Sequence, residues 1–112
     1  MRAFLESSYP LTGARASLAP VQADHIDRLA LPANQAKSHQ VPAGARFVLF
    51  SPTADFYARF GAAGLVVALP SGDVIDGSAA ELNPGARSIP PEATEIALIS
   101  PSECQITLSF YA

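Results

Sequence analysis

Two short clusters hold the side chains of this 112-residue chain that could do chemistry. The first is Asp24-His25-Ile26-Asp27, where two carboxylates flank an imidazole, the materials of a general base or of a metal site. Read as a strand, its successive side chains point to opposite faces, so these three groups are not expected to converge. The second is Asp73 and Asp76 with Gly77, whose oxygens would suit a hard cation such as calcium. Two acids at this spacing fall short of an EF-hand loop, and aspartate beside glycine is first of all a turn former. His25 and His39 are the only histidines. No G-x-S-x-G elbow, glycine-rich phosphate loop, CxxC pair or dinucleotide fingerprint occurs. Cys104 is the only cysteine, so it cannot form an intramolecular disulfide and reads as a small buried hydrophobe. Glu92, Glu95 and Glu103 read as solubilising charge. The expectation is a protein that is not an enzyme, with no catalytic residue, no cofactor and no bound metal.

The elements that would position any site are set by proline. Ten prolines, at 10, 20, 32, 42, 52, 70, 84, 90, 91 and 101, cut the chain into pieces of strand-and-turn size. Proline lacks an N–H and clashes with the preceding helical turn, so a helical bundle is close to excluded. Val21, Ile26, Leu29 and Ala30 would suit one helical turn after Pro20, while Asp27–Leu31 before Pro32 suits an edge strand, which is the expectation; 32–44 are small and polar, a connecting segment. Arg46-Phe47-Val48-Leu49-Phe50 is dense enough to be a strand buried on both faces. Phe56, Ala58 and Phe60 alternate with Asp55, Tyr57 and Arg59, the period of a half-buried strand. Leu65–Leu69 reads as a further strand, then turns follow at 71–73, 76–78 and 83–85. Glu95–Ile99 is a strand, and Ile106, Leu108 and Phe110 alternate with polar neighbours to the end of the chain.

A loop–strand–Ser-Pro–strand unit recurs: 41–60 carries Ser51-Pro52 and 89–110 carries Ser100-Pro101. Two such hairpins facing each other would make the halves of a sandwich core. The expected fold is all-β, a small antiparallel β-sandwich, jelly-roll-like, over residues 21–112. Residues 1–20 show no sustained period and read as an irregular N-terminal arm. The arm carries Phe4, Leu5, Tyr9 and Leu11, which either cap their own domain or reach a neighbouring subunit. Tyr57, Arg59 and Tyr111, expected on outward faces, complete the candidate interaction residues, since such side chains are enriched at interface hot spots.

Composition bears on partners. Only 15% of residues are charged, against about 25% in typical domains, which leaves weakly polar surface for contact with other protein. A homo-oligomer or a multi-copy assembly component is expected. Net charge is −3 and the arginines are scattered singly, so no nucleic-acid partner is expected. No apolar run approaches the ~20 residues of a membrane span, and the first residues have no signal-peptide h-region. Synthesis in a reducing cytoplasm fits the single thiol.

The stretch Phe56-Tyr57-Ala58-Arg59-Phe60-Gly61, after Leu31-Pro32 and Phe47–Phe50, resembles the strands of small structural proteins of tailed bacteriophage virions. Asp76-Gly77, Glu81-Leu82-Asn83-Pro84, and Ile96–Pro101 with Ile106–Tyr111 extend the resemblance over residues 31–112. These are structural motifs rather than catalytic signatures. The resemblance implies a non-enzymatic β-sandwich of the virion, a head decoration or cement protein contacting the major capsid protein, made in the host cytoplasm. It equally implies a neck, tail or fibre accessory protein as the alternative. A carbohydrate-binding sandwich is a further reading from a different class, set back by the absence of tryptophan and a count of only three tyrosines.

Overall fold

The computed structural model describes residues 1–4 and 21–112. Leu5, Tyr9, Leu11 and the rest of the expected arm from 5 to 20 lie outside the described residues. The strands are β1 (His25–Leu31), β2 (Lys37–Gln40), β3 (Phe47–Pro52), β4 (Tyr57–Gly61), β5 (Glu81–Leu82), β6 (Ala86–Ser88), β7 (Glu95–Ile99) and β8 (Cys104–Tyr111). They form two antiparallel four-stranded sheets, β1-β8-β3-β6 and β2-β7-β4-β5. The pairing is nested, with β1 on β8, β2 on β7, β3 on β6 and β4 on β5. This is one long hairpin rolled across two layers, and β3·β8 and β4·β7 join the roll into sheets. The described residues form an eight-stranded jelly roll.

Alternation decides which side chains fill the space between the sheets. Leu31, Val48, Phe50, Phe56, Ala58, Ile89, Ile96, Leu98, Cys104, Ile106, Leu108 and Phe110 form one buried cluster. Val48 and Phe50 point inward while Phe47 and Leu49 are only half-buried, so β3 is not buried on both faces as its density suggested. The strand that is covered on both faces is β7, where Ile96 and Leu98 enter the core and Ala97 and Ile99 are buried on the other side.

The cover comes from the β4–β5 connection. Leu65–Leu69 is not a strand: the place beside β4 is taken by β5, and the apolar run lies across the outer face of the sheet instead. There Val67, with Leu65, Leu69 and Ala80, buries Ala97, Ile99 and part of Tyr57 in a second small core. Gly61 lets the chain turn back at this point. A Cβ there would fall 2.5 Å from Leu65 Cδ2, so Leu65 would have to rotate out of its seat.

The repeated unit is real in outline but differs in pairing. β3 and β4 lie in different sheets, as do β7 and β8, so each Ser-Pro turn is an arch between layers and not a hairpin. The two arches pair with each other, β3 on β8 and β4 on β7. Ser100 ties the arches together: fully buried, its Oγ lies 2.7 Å from the Asp55 carbonyl oxygen and 2.6 Å from that of Ser102. The segment expected to be only a connection, 32–44, contains β2, whose single inward side chain is His39.

Residues 1–4 lie on the sandwich itself. Ala112 N–H donates to the Arg2 carbonyl at 2.7 Å, and Phe4 N–H donates to the Ala112 carbonyl at 3.0 Å. The Phe4 ring stacks on Phe47 at 4.9 Å and meets Tyr111 edge-on at 5.3 Å. Tyr111, expected to face outward, is buried, and its hydroxyl donates to the Val21 carbonyl at 2.5 Å. The last strand thus fastens the chain on both sides of residues 5–20.

Candidate functional site

Three of the four ion pairs among the described residues lie on the two flanks of the sandwich. On one flank β1 and β2, edge strands of opposite sheets, are joined by Asp27. Its Oδ2 accepts from His39 Nε2 at 2.7 Å and from His25 Nε2 at 3.3 Å. Positions 25 and 27 share the inward face of β1, so alternation itself brings these two together, and His39 arrives from the other layer. Asp24, on the opposite face, accepts instead from Arg2 N–H at 2.9 Å. The sequence cluster therefore separates as expected, but one half of it meets a histidine that sequence spacing could not connect. Both imidazoles also pack on Phe110, His25 edge-on at 5.7 Å and His39 stacked at 6.0 Å.

This arrangement is a clasp. An ionised carboxylate only accepts, so each imidazole donates from Nε2. Among the described residues no three such groups are disposed to hold a metal ion. An inward charge on an edge strand also discourages pairing with another strand, and Lys37 Nζ occupies the Ala30 carbonyl on the same flank at 3.1 Å. Burial raises the Asp27 carboxyl, but the His39 hydrogen bond and the charges of His25 and His39 outweigh it and hold the pKa below the ordinary value. A depressed carboxyl contributes stability that is complete above its unfolded pKa and lost as pH falls through the folded one. Asp27→Asn is therefore expected to lower stability at neutral pH and to flatten its fall below about pH 4. Denaturant midpoints measured across the acid range check this, and parallel curves for the two proteins would contradict it.

The other flank is closed in the same way. Arg87 on β6 donates Nε to Glu81 Oε1 on β5 at 3.0 Å and pairs through its second nitrogen with Oε2, again linking opposite sheets. The Arg87 hydrogen bond lowers the Glu81 carboxyl and raises the guanidinium. At the arch end, Asn83 sits at φ 50° between β5 and β6. Its Oδ1 accepts from Phe56 N–H at 3.0 Å and its Nδ2 donates to Asp55 Oδ1 at 2.9 Å.

The remaining acids of interest form a turn. Asp76 Oδ1 accepts from Ser78 N–H at 3.0 Å and from the Ser78 hydroxyl at 2.6 Å, and these bonds hold its carboxyl below the ordinary pKa. Tyr57 and Arg59 lie on the outer face of β4, beneath the β4–β5 connection. Tyr57 packs into the second core, and Arg59 Nη1 donates to the carbonyls of Gly77 and Ala79 at 3.3 and 3.0 Å. Arg59 is thereby the strut of the connection.

What this chain leaves open is apolar. A hollow of about 550 Å³ lies between β4 and the connection, lined by Arg59, Leu65, Leu69, Val74, Ala80 and their neighbours. Around it stand exposed aliphatic side chains: Val66 is 71% exposed, Val74 46% and Ile75 92%. Leu82 on β5 is also exposed. Composition alone indicated weakly polar surface but not its place, because Leu65–Leu69 gave the same signal as a buried strand.

Fold and site together define a jelly roll clasped on both flanks and carrying an apolar crest on one outer face. No protein-family model, curated protein or solved structure matches the chain. Among the described residues no helix is long and apolar enough to cross a membrane.

Proposed function

We propose that this chain is a non-enzymatic structural protein of a virion, a head decoration or cement protein that binds across major capsid subunits. The observation that carries the reading is the crest of Val66, Val74 and Ile75, three exposed aliphatic side chains gathered beside one hollow. Aliphatic side chains standing in water are stabilised by contact with a partner surface. The described clusters that catalysis could draw on are engaged within the chain. Asp27 and its two histidines join the sheets, Glu81 joins Arg87, Asp76 holds a turn, and Cys104 is buried. The resemblance over residues 31–112 points to the same class. Repetition around a shell would let a modest contact per copy add up when more than one site engages the same particle.

The reading is tested by stoichiometry. Quantitative mass spectrometry of purified particles is expected to find the chain in fixed proportion to the major capsid subunit. A few copies per particle would assign it to the neck or tail, and its absence from particles would contradict a virion role.

A further inference from the structure

The hollow beside the crest says what kind of partner it takes. Its walls are mainly aliphatic, with Ser71 and Ser78 among them, and Arg59 is the one charged side chain among the described residues that line it. The two carbonyls that Arg59 meets hold the guanidinium in place without neutralising it, and no carboxylate among the described residues pairs with it. Asp76 is close enough to feel its charge, yet spends Oδ1 on Ser78. Guanidinium has five N–H donors in a fork that fits a carboxylate, so donors remain for an incoming acid.

We propose, building on the virion reading, that this face receives an extended segment of a capsid protein in which aliphatic side chains flank a carboxylate. The carboxylate pairs with Arg59, and the flanking side chains cover Val66, Val74 and Ile75. A free small acid would fill the hollow and leave Ile75 and Val66 in water; a chain segment covers both, at about 25 cal/mol per Å² of apolar surface removed.

The test uses particles prepared without this chain, to which the purified full-length protein is added. The double variant Val66→Asp, Ile75→Asp changes only exposed positions, so it keeps the fold, checked by its denaturation midpoint. It is expected to bind at least about tenfold more weakly than wild type. Arg59→Gln is expected to weaken binding and reduce its dependence on salt, since one ion pair is lost. Ile26→Asp, exposed on the outer face of the other sheet, is expected to bind as wild type. Full binding by the double variant, with wild type also binding, would overturn this docking face and leave the virion role standing. Failure of wild type to bind would overturn both. A wild-type chain that dimerises in solution, beside a monomeric double variant, would show a second copy as the occupant and overturn the proposed partner.

Discussion

Phe110→Ala is expected to destabilise the fold by about 3–5 kcal/mol, the range for emptying an aromatic site in a packed core. The ring is fully buried, and its residue stands opposite His25 on one side of β8 and opposite Val48 on the other. It supports both imidazoles of the flank clasp, so its loss removes core volume and the platform on which His25 and His39 rest. Two effects should therefore appear together: a lower urea midpoint, and an Asp27 carboxyl that titrates closer to its ordinary value. Phe110→Leu should lose less stability because most of the volume is kept. A midpoint unchanged in the alanine variant would refute this account of the core.

Asn83→Ala is expected to cost about 2–4 kcal/mol although the residue is exposed. The substitution strips the Phe56 N–H of its acceptor, worth about 1–3 kcal/mol, and leaves Asp55 without its amide donor. It also holds an alanine at φ 50°, where a side chain lacking a local hydrogen bond is strained by about 1–2 kcal/mol. Asn83→Gly should recover the backbone part alone. Asn83→Asp should do worse than its similar shape suggests, because it sets a second carboxylate against Asp55. Urea denaturation of the three variants separates these contributions, and equal midpoints for alanine and glycine would remove the backbone argument.

The sandwich was legible because its strongest signals are local. Proline spacing excludes long helices, and alternation in β4 and β8 marks the inward faces correctly. The elements that escaped are those whose identity is decided by distant partners. β2 has one inward side chain, His39, so it has no apolar period to detect. β5 and β6 are too short for any period, and exist because Asn83 turns one into the other. Leu65–Leu69 has strand composition but no free edge beside β4, so its hydrophobicity serves a second layer.

The candidate site divides along the same line. Phe4, Tyr57, Arg59 and Tyr111 were singled out by type, and the structure gives all four bonds or packing within the chain. The clasp was missed because His39 joins His25 and Asp27 only when the layers stack. The one signal that could have found part of it is the spacing of His25 and Asp27, two residues apart and hence on one face. The crest was missed because exposure of Ile75 and Val66 depends on how the β4–β5 connection lies, which no window of sequence contains.

The central claim, that this clasped jelly roll is a multi-copy component of a virion shell, is tested most directly by cryo-electron microscopy of native particles containing the chain. The account predicts ordered density for the sandwich at regular positions on the shell, with the Val66–Ile75 face turned toward capsid subunits. Particles whose shells carry no such density, in preparations where the chain is present, would contradict it.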